Sequence, residues 1–306
     1  MKLLAAAALT VALSGAAATP PKLGGCGVFP SSNAWNERVD KLPVAASSDA
    51  IIRTIGVSTG VHADFGSGLW DGGRIGIPYV VVHGKTTPKS RVTFEYADES
   101  DKGPYPIPAN VPIEGQPRTA NDGDRHALIV DRDACRLYEL YALRKEGGHW
   151  AAGSGAIFDL RSNRVRPAGW TSADAAGLPI LPGLARWEGD ASTGTIRHAL
   201  RFTVERTRRA YVYPARHYAS DLTDPSLPPM GLRVRLKASV SIASLPPQAR
   251  EVAQAMKTYG MIVADNGSNW YVSGAPSPRW SNDQLHALGR LTGADFEVVD
   301  TSSMRP

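Results

Sequence analysis

Only two cysteines, Cys26 and Cys135, occur in the 306 residues. That scarcity excludes thiolate-rich metal sites and a structural zinc cage. The histidines are as sparse in pattern as the cysteines are in number: no HxH or HExxH spacing occurs, so no local metal-binding motif is present. Gly56-Val57-Ser58-Thr59-Gly60 and Gly153-Ser154-Gly155 lack the strand-to-helix setting of a nucleophile elbow. Asn121-Asp122-Gly123-Asp124 is an acidic turn without the remaining ligand spacing of a calcium-binding EF-hand, although a looser calcium site there stays open. Past the N-terminus, no apolar run approaches the roughly 20 residues that a membrane-spanning helix needs. Basic charge is thinly spread. The net charge is +5 and no cluster is denser than Arg206-Thr207-Arg208-Arg209, so nucleic acid is not an expected partner.

What is present begins with an export signal. Lys2 supplies a positive start, Leu3 to Leu13 an apolar stretch, and Ala16-Ala17-Ala18 a small-residue cleavage site. Cleavage near Ala18 is expected, giving a secreted or periplasmic protein with residues 1–18 removed. Leu23-Gly24-Gly25-Cys26 has the look of a lipoprotein box, but Pro20-Pro21-Lys22 separates it from the apolar stretch. The competing use of Cys26 is a disulfide with Cys135, which an oxidising compartment favours. About 290 residues then remain, enough for one large domain or two modest ones.

From Ile51 to Ile242, short β-type runs alternate with Gly, Pro, Asn and Asp: IIRTIG, IPYVVV, RVTFEY, HALIVD, CRLYELY, AAGSGAIFDL, IRHALRFTV, AYVYPARHY and GLRVRLKASVSI. In the last, Arg233, Arg235 and Lys237 alternate with Val234, Leu236 and Ala238, predicting one wet and one buried face. The expected fold is mainly β, an antiparallel β-sandwich or jelly-roll-like domain over residues 19–243. Two loops, residues 98–124 and 161–189, are far longer than hairpins require, and such loops tend to be functional. After residue 243 the pattern changes. Ala249, Val252, Ala253 and Met256 recur at helical spacing, MIVADNGSNWYVSG reads as a hairpin about Asn-Gly, a short helix is capped by Ser281 or Asn282, and DFEVVD is a last strand. Residues 244–306 are therefore expected to form a small α+β extension packed on the β-domain.

The strings RHALIVDRDACRLYELY, SGAIFDLRSN, GWTSADAAGLPILPG, HALRFTV, PARHYAS and YGMIVADNGSNWY together resemble a recurring family of uncharacterised bacterial exported proteins. The resemblance covers most of the mature chain. It implies export and one extended fold unit, and it carries over no catalytic residue.

In GDRHALIVDRDACRLYELY, HALIVD and CRLYELY should pair across Arg132-Asp133-Ala134, with Asp131 and Asp133 forming the turn. Both faces of HALIVD are mostly apolar, which predicts a central strand. Asp124 and His126 share a face at its entry. An inward Glu139 is expensive unless paired; a salt bridge to an arginine is its expected use, with a catalytic role as the alternative. Asp159 ends an apolar strand, and Asp174 lies in a small-residue loop beside Trp170, where it could equally cap a helical turn.

Two carboxylates with an aromatic platform are what a glycosidase requires: an acid for the leaving oxygen, a second carboxylate for water or direct attack, and a ring against the sugar. The expected function is thus a glycoside hydrolase acting on an extracellular polysaccharide. Asp159 and Asp174 are its acid/base pair, His126 and His198 position or tune them, and Trp170, Arg201 and Arg216 meet the glycan. No cofactor is required. A divalent metal held by His126, His198 and His217 stays open, as does a polysaccharide lyase in which His217 and Tyr218 remove a proton beside a uronate that arginines neutralise. The rival outside enzymology is a glycan-binding or wall-associated module. Oligomeric state has no signature in the sequence.

Overall fold

The computed structural model describes residues 19–118 and 122–304. The expected signal, residues 1–18, and Asn121 of the acidic turn lie outside the described residues. No helix among those described is long and apolar enough to cross a membrane. The fold is mainly β, divided among several sheets that close into no barrel among the described residues.

Thirteen strands of three or more residues matter here. They are β1 (His62–Asp64), β2 (Tyr79–Val82), β3 (Val92–Phe94), β4 (Ala127–Asp131), β5 (Arg136–Tyr141), β6 (Arg144–Glu146), β7 (His149–Ala152), β8 (Ser154–Asp159), β9 (Leu200–Val204), β10 (Arg233–Leu236), β11 (Met261–Asn266), β12 (Tyr271–Ser273) and β13 (Phe296–Val298). Three helices accompany them: α1 (Ser48–Ile55), α2 (Pro247–Thr258) and α3 (Asn282–His286).

A four-stranded sheet runs β8-β5-β4-β2, a three-stranded one β6-β7-β3, and a six-stranded one β13-β10-β11-β9-β12-β1. All three are mixed, because β2 with β4, β3 with β7, β9 with β11 and β1 with β12 pair in parallel. The expectation of a purely antiparallel arrangement is corrected by these crossovers, which long connections make available.

The hairpin of β4 and β5 forms in the expected register, Ala127 opposite Leu140 through Asp131 opposite Arg136. Every residue of β4 is buried, as an uninterrupted apolar run in a central strand should be. One face, with Leu128, Val130 and Leu137, joins the main core, and the other, with Ala127, Ile129 and Leu140, joins a smaller core around Tyr105 and Ile113. Asp131 closes the turn by accepting from the backbone N–H groups of Asp133 (2.9 Å), Ala134 (3.2 Å) and Gly84 (3.1 Å). Cys26 and Cys135 are joined in a disulfide with Cα atoms 5.6 Å apart, tying the N-terminal segment to this turn.

Several expected strands are something else. IIRTIG is the end of α1, whose buried Ser48, Ile51, Ile52 and Ile55 follow helical spacing. AYVYPARHY is coil with a single bridge from Tyr211 to Met230. The arginine face of β10 is covered by the N-terminal segment. Arg233 is buried and donates to the carbonyls of Tyr259 (2.8 Å) and Ala34 (2.7 Å), and Arg235 donates to those of Val39 and Leu42. Alternation identified the strand correctly, but guanidinium groups can be buried where backbone carbonyls receive their protons.

The C-terminal segment is woven into the fold. Helix α2 buries Ala249, Val252, Ala253 and Met256, and Ser281 caps α3 by accepting from the Gln284 N–H. The strands expected to form a hairpin about Asn266-Gly267 do not pair with each other: β9 lies between β11 and β12, parallel to one and antiparallel to the other. Residues 244–306 thus supply β11, β12 and β13 to a six-stranded sheet whose other strands come from earlier in the chain.

Candidate functional site

The site lies where the 161–189 loop crosses between the four-stranded and six-stranded sheets. This loop has no strand, so side chains from both sheets fix it. Glu139, fully buried on β5, accepts from the backbone N–H groups of Ile180 (2.8 and 3.0 Å) and Leu181 (2.9 Å). Its partners are therefore backbone amides rather than the expected arginine. Burial nevertheless pushes its pKa up to about 7, because two amide dipoles replace only part of a carboxylate's hydration. Ser154 donates to Ser172 O (2.6 Å), Ser172 Oγ to Leu178 O, and His126 Nε2 to Ala173 O (3.0 Å). From the other side, His217 Nδ1 donates to Ala175 O (2.7 Å) and the Ala176 N–H to Ala264 O (3.0 Å).

This bracing presents Asp174, with no exposed side chain, to Arg201 on β9. The guanidinium donates from Nη2 to Oδ1 at 2.8 Å and from Nε to Oδ2 at 3.3 Å, and its Nη1 donates to Ser273 Oγ at 2.6 Å. Asp265 Oδ2 lies 3.7 Å from the same guanidinium. Its position comes from a bulge. The β9/β11 register runs Arg201 with Ile262 and Phe202 with Val263, then Thr203 with Asp265, leaving Ala264 as an extra residue. Without it, alternation would turn Asp265 to the core face of Phe202 and Val263; with it, Asp265 shares the face of Arg201. Burial and the nearby Asp174 push the Asp265 pKa up to about 7, against the opposing pull of Arg201.

Beside this pair stands a second cluster. His126, nearly all buried, donates from Nδ1 to Glu114 Oε2 at 2.5 Å as well as from Nε2 to Ala173 O. Burial opposes the charged ring, but Glu114 overcomes it through its charge and hydrogen bond, and the His126 pKa rises to about 9. Asp124 completes a group with Glu114 and His126 whose ligand atoms lie within 4.8 Å of one another. Carboxylates suit a hard cation. An imidazole donating through both nitrogens, however, has no lone pair for a metal, so this trio is better described as an ion pair with a neighbouring acid.

These groups border a cavity of about 460 Å³, lined by Asp124, Asp174, Asp265, Glu99, His217, Tyr96, Tyr141 and the segment 171–175. No lysine or arginine lines it among the described residues. Two of the sequence-predicted residues, Asp174 and His217, meet in it. His126 and Arg201 stand directly behind it, through Ala173 and Asp174.

The remaining candidates lie elsewhere. Asp159 is partly exposed at the end of β8 and chelated by Arg161 (3.0 and 3.3 Å). With Trp170 and Arg216 it lines a separate cleft of about 970 Å³, so Asp159 and Asp174 do not face a common space. His198 is buried in coil ahead of β9, bonded to Ala199 O (2.7 Å) and to Asp190 Oδ2 (3.1 Å), which Arg186 also holds (2.8 Å). Tyr218 stacks on His217 (5.8 Å) and Tyr211 (6.5 Å) without lining the cavity. His126, His198 and His217 form no metal-binding group among the described residues.

Asp265 lines the cavity but was not among the residues that the sequence pointed to. Its signal was an acid immediately before Asn266-Gly267, at a position that looks like ordinary turn chemistry. No family model, curated protein or solved structure matches the chain, so function has to be argued from this geometry.

Proposed function

We propose that the protein is a glycoside hydrolase acting on an extracellular polysaccharide, with Asp265 as proton donor and Asp124 as the second carboxylate. The observation that carries this reading is one cavity lined by both groups, in which Asp265 has its pKa raised to about 7. A carboxyl that keeps its proton near neutrality can protonate a glycosidic oxygen as the bond breaks, while a second carboxylate activates water or attacks directly. Asp174 and Arg201 are positioning residues. Arg201 stays paired with Asp174 and so fixes that carboxylate beside Asp265, whose proton is held by burial and by the Asp174 charge against the pull of Arg201. Tyr96 and Tyr141 supply ring surface for a sugar. This assignment sets aside Asp159 as the partner of Asp174, because the two line different cavities.

A lyase reading draws on one feature. Donation from His217 Nδ1 to Ala175 O leaves Nε2 as the basic nitrogen of the neutral ring. Against it, a uronate in this cavity would meet acidic residues and no guanidinium. The test is to incubate the mature protein with neutral and acidic polysaccharides and follow reducing ends together with unsaturated-uronate absorbance. New reducing ends without unsaturation, abolished in Asp265→Asn and Asp124→Asn, support the hydrolase. Unsaturated product, or full turnover in both variants, overturns it.

A further inference from the structure

The cleft on the far side of the 161–189 loop has the opposite charge character to the cavity. It is about 970 Å³ and lined by Arg136, Arg164, Arg166 and Arg216 with Trp170, Asp101 and Asp159 among others. Both carboxylates are already matched: Asp101 by Arg166 at 2.6 Å and Asp159 by Arg161. Arg136, Arg164 and Arg216 form no ion pair with a carboxylate among the described residues. Arg216 Nε donates to Arg166 O (3.0 Å), which holds its guanidinium at the cleft wall.

The cleft also has a rigid platform. Arg166 is buried and donates to Thr171 O (2.6 Å), Glu99 O (2.7 Å) and Asp101, and its guanidinium lies 5.4 Å from the Trp170 ring centre. A tryptophan ring so held, in a cleft shared with guanidiniums that form no carboxylate ion pair, matches a sugar ring that carries an anionic substituent: apolar C–H surface against the indole, and carboxylate against the fork of an arginine. The cleft and the cavity are adjacent along the chain twice over, Trp170 before Thr171 and Arg216 before His217. Neighbouring residues are only about 3.8 Å apart at Cα, so a polymer crossing this one loop would enter both.

We infer that the cleft is a subsite for a carboxylate-bearing sugar, and that the substrate is an acidic heteropolysaccharide placing a uronate in the cleft and an uncharged residue in the acidic cavity. The substrate class rests on the hydrolase reading, but the binding chemistry of the cleft does not.

Binding is measured by titration calorimetry on Asp265→Asn, so that turnover plays no part. The probes are an oligosaccharide of alternating uronate and neutral residues, the same oligosaccharide with its carboxyl groups reduced, and sodium sulfate. The acidic form should bind at least about tenfold more tightly than the reduced form, a difference that one charge-assisted contact supplies. Adding Arg136→Gln and Arg164→Gln, both exposed, should abolish that preference while leaving affinity for the reduced form unchanged. Equal binding of the two oligosaccharides, or a preference that survives the arginine substitutions, overturns the inference. Sulfate binding as tightly as the acidic oligosaccharide would show a general anion site and overturn it too. Discriminating binding together with no hydrolysis by the unsubstituted protein would sink the hydrolase alone.

Discussion

Replacing Glu114 by Gln should make the stability of this protein much less dependent on pH above neutrality. In the native fold His126 is buried and gives both ring protons away, one to Glu114 at 2.5 Å and one to Ala173 O. Its pKa stands at about 9 against an ordinary 6.5. The folded state therefore binds a proton that the unfolded chain releases between these values, and stability falls as pH rises through that window. The contribution is complete below about 6.5 and gone above about 9. Converted at about 1.4 kcal/mol for each tenfold, it is on the order of 3 kcal/mol. With Gln at position 114, the largest force raising the ring's pKa is gone, and burial and the nearby Arg201 oppose the charged ring with only Asp124 still favouring it. Urea unfolding at pH 6 and pH 10 should accordingly show the variant on the order of 3 kcal/mol less stable at the lower pH, and far closer to the unsubstituted protein at the higher. Titration of the His126 ring by NMR should show its pKa falling well below 9. An equal stability gap at both pH values would refute the reasoning, since an uncharged contact has no such window.

Other consequences can be measured independently. If Asp265 is the proton donor, kcat should decline as pH rises through about 7, and Asp265→Asn should cost about 10²–10⁴-fold in kcat while leaving the unfolding midpoint nearly unchanged; an unaltered pH limb in the variant would count against the assignment. The Cys26–Cys135 bond closes a loop across a sequence separation of 109, so the Cys26→Ser, Cys135→Ser protein should lose about 4 kcal/mol of unfolding free energy, and a loss below about 1 kcal/mol would mean that the reduced chain is already constrained. At Gly84 an added Cβ would fall onto the Asp131 carboxylate, so Gly84→Ala should cost about 2 kcal/mol by displacing it from the amides it serves; calorimetry showing no loss would mean the turn moves freely.

Local features were legible in the sequence to the extent that their partners lay nearby in the chain. The β4/β5 hairpin, its Asp131 turn, the central position of β4 and the buried stripe of α2 could all be read, because alternation, turn residues and helical spacing are short-range patterns. Glu139 was recognised as an inward carboxylate, but what it binds, the amides of Ile180 and Leu181, belongs to a loop that carries no periodicity. The same limit explains Arg233, read as solvent-facing until the 34–42 segment is seen to cover it. It also explains the supposed hairpin about Asn266-Gly267, whose two strands are separated by β9.

Asp265 shows why a candidate site can be harder to read than the fold around it. Its placement beside Arg201 depends on one extra residue, Ala264, in the pairing of two strands about 60 positions apart, and a bulge has no period to detect. The cost of the bulge is partly offset, since the displaced Ala264 carbonyl accepts from Ala176 on the loop that carries Asp174. One irregularity thus aims one carboxyl group and anchors the segment bearing the second. The two acids come to face one guanidinium because a single backbone defect serves both the strand of Asp265 and the loop of Asp174, and the raised pKa of Asp265 follows from the burial and the nearby Asp174 charge that this placement brings, against the pull of Arg201.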